Sequence, residues 1–285
     1  MRLYGIARTR CGGMEPSGLT LINGEPASDL PAQDRGCMYG DGVFRTVRVV
    51  DGQPQWWRFQ LAKLRRDADR LGIPSPGDEA WEDDLRKLVG AGGLAVLKLV
   101  LTRGSGQRGY LPPERVQTHR VAMLAPFPEQ IERVAAGGAV LRICALRLGE
   151  QPRLAGIKHL NRLENVLARM EWDAPDIHEG LLLDAAGRVV GGVSSNLFIF
   201  VGGELLTPRL DRCGVAGMAR ERVMGIAGRL GLTVRETDIR LDDVLDAREV
   251  MLTNSLIRIW PVGRLEDRVW TAWPIGHALR GLLDD

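Results

Sequence analysis

Lysine is scarce in this chain. Of 38 lysines and arginines, four are lysine: Lys63, Lys87, Lys98 and Lys158. Arginine holds its proton too tightly to serve as a free amine. A lysine of lowered pKa can form a Schiff base with a carbonyl and can move a proton. Lys158 is isolated even within this set, because no other lysine follows Leu99. After it, Leu160, Leu163, Leu167 and Met170 recur at helical spacing. That spacing predicts a helix over 159–172 packed on a core. Lys158 then lies just before that helix or in its first turn, where the positive end of the helix dipole disfavours an ammonium. The competing reading is an ordinary solvated lysine at a helix start, and Lys158 by itself does not decide between them.

Two other segments bear on the same chemistry. Gly214-Val215-Ala216-Gly217-Met218-Ala219-Arg220 leads into a pattern with Val223, Ile226 and Leu230 on one face. Glycines at a helix start let backbone N–H groups approach a phosphate. Thr253-Asn254-Ser255 ends an apolar strand with three small polar residues, suited to phosphate or carboxylate and equally to a turn. Taken together, an isolated amine, a glycine-led helix start and a hydroxyl-bearing strand end are the parts of a pyridoxal phosphate site. Gly104-Ser105-Gly106-Gln107-Arg108-Gly109 matches a dinucleotide fingerprint. The Tyr110-Leu111-Pro112-Pro113 that follows opposes the helix such a fingerprint needs, so it reads either as a loop carrying Arg108 into a site or as a plain turn.

These parts must be positioned by a scaffold. Strand signals fall at 19–22, 42–50, 94–102 and 119–124, and helices at 58–71 and 78–90. Pro126 and Pro128 mark a linker at 125–130 between a domain over 18–124 and a larger one over 131–285. In the second half, strands are expected at 139–146, 180–184, 188–193, 196–201 and 248–253, with helices at 159–172, 218–230 and 240–246. Strands joined by hairpins with helices between them predict an α/β fold with mixed sheets. Residues 1–17 read as an extension. With 45% hydrophobic residues the chain can bury a large core, and a formal charge of +2 with interspersed signs gives no surface for nucleic acid. Four scattered cysteines, no apolar leader and no spanning apolar run predict a reduced, cytoplasmic protein away from membranes. Four histidines without ligand spacing predict no metal.

From about Leu19 to Val262 the chain resembles the fold-type IV pyridoxal phosphate enzymes and, among them, the aminodeoxychorismate lyases. Asp34-Arg35-Gly36, Tyr39 to Phe44 and Ser194 to Phe198 resemble the fold type in general. Thr207 to Leu210 and Thr253 to Ser255 also carry the resemblance. The Gly-Ser-Gly-x-Arg-Gly-Tyr loop ending at Tyr110 and the Gly-Ile-Lys-His-Leu-Asn-Arg-Leu-Glu run from Gly156 are similar to the lyases in particular. The resemblance implies a two-domain homodimer that converts 4-amino-4-deoxychorismate to 4-aminobenzoate and pyruvate in folate synthesis. It implies that Lys158 is the Schiff-base lysine and Arg58 the phosphate arginine. Met218, Ala219 and Ser255 would complete the phosphate cup, and Val215 would pack on the pyridine ring. Arg108 and Tyr110 would meet the substrate, with Arg48 or Arg258 at its second carboxylate.

Two departures stand out. The family's glutamate against the pyridine nitrogen is replaced by Gly191, which opposes full transamination more than elimination to an aromatic product. Arg45 stands where relatives usually carry a smaller or acidic residue, either to contact substrate or to pair on the surface. A D-amino-acid or branched-chain aminotransferase of the same fold and a non-catalytic cofactor-binding protein are the alternatives.

Overall fold

A computed structural model describes residues 19–90 and 92–284. The expected extension over 1–17, with Cys11, lies outside the described residues. The first half forms a six-stranded antiparallel sheet from β1 (Thr20–Ile22), β2 (Glu25–Pro26), β3 (Gly42–Val50), β4 (Gln53–Pro54), β5 (Leu94–Thr102) and β6 (His119–Pro126). Its order is β2-β1-β6-β5-β3-β4. In β3, Val43, Val47 and Val49 alternate inward, as the period of a strand requires. They pack with Leu61, Leu64 and Ala68 of the helix α2 (Trp57–Arg70), which follows the short α1 (Arg35–Tyr39). Helix α3 (Asp78–Leu88) adds Trp81 and Leu88 to the same core.

The second half forms a ten-stranded mixed sheet. Its strands are β7 (Ala139–Leu148), β8 (Glu179–Asp184), β9 (Arg188–Gly192), β10 (Asn196–Val201), β11 (Glu204–Pro208), β12 (Thr233–Thr237), β13 (Ile239–Arg240), β14 (Glu249–Asn254), β15 (Arg258–Leu265) and β16 (Arg268–Val269). The order is β12-β11-β10-β14-β15-β7-β8-β9-β13, with β16 beside β15. Pairs β11/β12, β15/β7 and β7/β8 are parallel and the others antiparallel. The helices of this half are α4 (Gln130–Gly137), α5 (Leu163–Arg169), α6 (Met218–Ile226), α7 (Leu241–Leu245) and α8 (Pro274–Asp284).

The expected linker is shorter than its prolines suggest. Pro126 still pairs with Ala95 at the end of β6, where its missing N–H costs nothing, and α4 begins at Gln130. The helix expected over 159–172 spans 163–169. Its apolar stripe does not face the core of this chain: Leu163 is 68% exposed and Met170 72%. The residues before it are held extended against β3 instead. Gly104, at φ +83, needs to be glycine, since a Cβ there would lie 1.7 Å from the Gln117 carbonyl oxygen. The Gly104–Gly109 loop opens no helix. Arg35 holds its far end by donating to the carbonyls of Gly109 and Tyr110, each at 2.9 Å.

Candidate active site

A cavity of about 770 Å³ lies where the two sheets meet, lined by Phe44 and Gln60 from the first half and by Val215, Met218 and Ser255 from the second. Lys158 enters it from the extended segment before α5. The Lys158 carbonyl accepts from Phe44 N at 3.0 Å, and Leu160 N donates to the Gly42 carbonyl at 3.0 Å. Its own N–H donates to Asp67 Oδ2 at 2.9 Å. Lys158 is thus fixed by strand-like pairing rather than by a helix start, and the helix dipole invoked for its amine is not the operative cause. Burial is, followed by the positive charges of Arg45, Arg162 and Lys98; together they bring the amine from 10.5 to about 7. The amine lies 4.4 Å from the centre of the Phe44 ring.

The glycine-led segment behaves as its composition suggests. Gly156 and the 214–216 stretch pair through Gly156 N to the Gly214 carbonyl and Ala216 N to the Gly156 carbonyl, both at 3.0 Å. Asn196 locks the entry to α6: its Nδ2 donates to the Val215 carbonyl at 2.7 Å and its Oδ1 accepts from Gly217 N at 3.0 Å. No side chain caps α6, so its first-turn amides are available to an anion beside Met218. Ser255 reaches the same cavity, and its Oγ accepts from Gln60 Nε2 at 3.0 Å while Gln60 Oε1 is buried without a partner. Ala219 is fully buried and, unlike Met218, does not line the cavity.

Several expected residues lie elsewhere. Arg58 is exposed, because the buried face of α2 runs through Gln60, Leu61, Lys63, Leu64 and Asp67. Arg58 stands roughly 160° around the helix from Gln60. Lys63 on the buried face opens onto a second cleft behind Gly217 and pairs with Glu221 at 3.1 Å. Arg48 turns to Glu132 at 3.3 Å and to the Leu256 carbonyl at 3.4 Å. Arg258 is buried against Trp56 and donates to the Leu283 carbonyl. Arg108 is exposed and Tyr110 is 85% exposed, so neither lines the cavity of its own chain.

Other residues take their place, Arg45 already conspicuous in the sequence and Arg162, Arg169 and Gln60 not. Among the described residues, the arginines lining the cavity are Arg45, Arg162 and Arg169. Arg45 pairs with Asp67, and Arg169 donates to the Trp172 carbonyl. Arg162 rests on the His159 ring, and its Nε is buried without a partner. Burial and Arg162 push His159 down to about 4, so this imidazole is neutral and offers Arg162 no charge. Arg162 stands four residues past Lys158 in the segment that drew attention, which was the available signal. Gln60 was legible as a position on the α2 face shared with Leu64.

Gly191 lines the cavity with no carboxylate in its place. A Cβ there would lie 2.8 Å from the Ser195 carbonyl oxygen. A glutamate therefore cannot simply be restored at this position. Glu179, buried behind Gly192, is engaged by the Ser194 N–H at 3.1 Å and the Ser194 and Ser195 hydroxyls at 2.6 and 3.1 Å; burial raises its pKa.

Residues 42–265 match the family described as amino-transferase class IV. The chain is 33% identical over 264 residues to an aminodeoxychorismate lyase from Vibrio harveyi, covering 92% of this chain and 97% of that one. It is 29% identical over 268 residues to a putative branched-chain-amino-acid aminotransferase from Methanocaldococcus jannaschii, covering 92% of each. The crystal structure of 4-amino-4-deoxychorismate lyase from Pseudomonas aeruginosa superposes with a TM-score of 0.89 at 41% identity, over 94% of this chain and 99% of that one.

Proposed function

The chain belongs to the class IV amino-transferase family, and on that premise we propose that it is a pyridoxal phosphate-dependent lyase converting 4-amino-4-deoxychorismate to 4-aminobenzoate and pyruvate. The observation that carries this reading is a lysine amine near neutrality, in one cavity with an uncapped helix N-terminus and the Ser255–Gln60 pair. These groups fit the aldehyde and phosphate of the cofactor. The phosphate would rest on the first-turn amides of α6 at Met218 and Ala219 and on the Ser255 hydroxyl. Lys63, behind Gly217, is the nearby cation in place of Arg58. Val215 would pack against the ring.

The bound cofactor supplies an electron-accepting ring conjugated to the carbon that bears the substrate amine. Lys158 takes the proton from that carbon. The carbon–oxygen bond to the enolpyruvyl group breaks, and Lys158 or water protonates the leaving enolpyruvate, whose methylene carbon takes up the proton to give pyruvate. Because the remaining ring becomes aromatic, a weaker electron sink suffices, in keeping with Gly191. Arg162 makes no direct ion pair with a carboxylate among the described residues, Glu164 acting on it only through space, and it lines the cavity, so it is the arginine proposed for a substrate carboxylate.

A homodimer completes the proposal. Leu163, Val166, Leu167 and Met170 of the α5 region, together with Tyr110 and Leu111, leave large apolar side chains exposed, as a face covered by a second copy would. Arg108 would then serve the cavity of that copy. A monomer in sedimentation equilibrium would sink this part. No helix among the described residues is long and apolar enough to cross a membrane. A cytoplasmic location rests on the free thiols of Cys37, Cys144 and Cys213.

The direct test is incubation of the protein and pyridoxal phosphate with 4-amino-4-deoxychorismate. Equimolar 4-aminobenzoate and pyruvate are expected. Faster amino transfer between simple amino acids and keto acids than 4-aminobenzoate release would instead promote the aminotransferase reading. In the cup, a hydrogen bond to a charged group contributes about 1.5–3 kcal/mol. Ser255→Ala is therefore expected to weaken cofactor affinity by about tenfold or more, and Arg58→Ala to leave it unchanged. Fluorescence titration of the cofactor-free protein checks both.

A further inference from the structure

The register of β3 places a cation where an apolar side chain belongs. Val43, Val47 and Val49 point into the core beneath α2, and Arg45 falls in the same alternation at 2% exposed. Its Nη2 pairs with the Asp67 carboxylate and donates to the Lys63 carbonyl at 3.3 Å. The Asp67 oxygen that meets this guanidinium, Oδ2, is the one that accepts the Lys158 N–H at 2.9 Å. The Lys158 amine lies on the ring of Phe44, next to Arg45 in sequence, and Phe44 N donates to the Lys158 carbonyl. Guanidinium, carboxylate and the lysine backbone are therefore tied into one buried cluster at the cavity wall.

We infer that Arg45 is a positioning residue: its guanidinium holds the Asp67 carboxylate in the buried pair that also fixes the Lys158 backbone, so this anion is not released to the Lys158 amine and the amine is left to bond to a carbonyl carbon. This rests on the reading of Lys158 as the residue that holds the cofactor. One carboxylate cannot fully compensate two buried cations, and the guanidinium is much the harder to deprotonate. The other charges facing the amine are Arg162 before α5 and Lys98 on β5, which act in the same sense, and Asp67 on α2, which opposes them. With an apolar residue at 45, Asp67 would be released from its pair and would favour the ammonium against only Arg162 and Lys98.

The experiment reads the amine itself, without turnover. The full chain, stripped of cofactor with hydroxylamine, is trace-labelled with acetic anhydride from about pH 5 to pH 10. Acetylation of the Lys158 peptide is followed by mass spectrometry, with exposed Lys87 as the internal reference. The wild-type midpoint is expected near 7. Arg45→Met should move it upward; a rise of one unit cuts the free amine at pH 7 by about fivefold. Arg45→Lys should move it less than Arg45→Met. Asp67→Asn should move it downward, since it removes the opposing anion and leaves the guanidinium. Opposite shifts in Arg45→Met and Asp67→Asn support the inference, because general loosening would return both toward the free-lysine value. An unmoved Arg45→Met midpoint, or shifts of the same sign, overturns it. Should Arg45→Met fail to fold, Asp67→Asn decides alone: a downward shift supports the inference, and an upward shift or none overturns it. Because the measurement needs neither cofactor nor substrate, its failure is separable from failure of the lyase reading.

Discussion

Lys158→Ala is expected to lower 4-aminobenzoate release by about 10⁴-fold or more, the upper range of what one general acid–base group contributes. The same variant should lose borohydride-fixed cofactor, which peptide mapping is expected to place on Lys158 in the wild type. The expectation follows from the geometry. The amine is brought to about 7 by burial and by Arg45, Arg162 and Lys98, and the other lysines are placed differently. Lys63 is tied to Glu221, Lys87 donates to the Gly24 carbonyl, and Lys98 is exposed over the outer side of Phe44. None of them lines the main cavity. Single-turnover release of 4-aminobenzoate measures the first effect and peptide mass the second. Retention of either at the wild-type level would remove Lys158 from the chemistry.

The second large effect is on stability. Asp67→Leu is expected to cost about 3–5 kcal/mol, because removing one member of a buried ion pair strands the other. Arg45 and Asp67 are 2% and 3% exposed, so solvent screening gives little relief. Lys158 N would lose its acceptor as well. The double variant Arg45→Met/Asp67→Leu removes both charges and is expected to recover most of that loss, since well-packed apolar pairs often match or exceed a buried ion pair. Urea unfolding of the wild type, both single variants and the double variant gives the coupling between the two positions. A double variant as unstable as the sum of the single variants would show that the two residues do not act as a pair. Such a result would leave the acetylation midpoints of the single variants unexplained by Arg45.

Much of the scaffold is legible in the sequence. Val43, Val47 and Val49 alternate in β3, and Leu61, Leu64 and Ala68 recur on α2, because a strand or helix with one buried face must repeat apolar residues at its own period. The region around Lys158 shows where that logic ends. Leu160, Leu163, Leu167 and Met170 have helical spacing, and a shorter helix does form there. Periodicity says that a face is apolar and does not say what covers it. In this chain the stripe points outward, and the residues ahead of the helix pair with β3.

The lysine at 158, the glycine-led entry at Met218 and the polar strand end at Ser255 are marked by residue type and local order, whereas Val215 and Gly191 are marked by the family resemblance; all five line the cavity. A scarce lysine, a glycine-led helix start and a polar strand end are features of contiguous sequence. The arginines were decided by the tertiary structure. Arg58, Arg48 and Arg258 are plausible anion ligands by type, yet one faces solvent and the other two are engaged away from the cavity. Arg45 and Arg162, which line it, are brought there by the register of β3 and by the extended path from Lys158 to α5. An arginine side chain is long and its charge acts through space, so its role is set by which carboxylates and carbonyls the fold brings within reach, and those lie on segments remote in sequence. For the same reason the sequence could mark Arg45 as unusual, while the packing of α2 on β3 was needed to set it between Asp67 and Lys158.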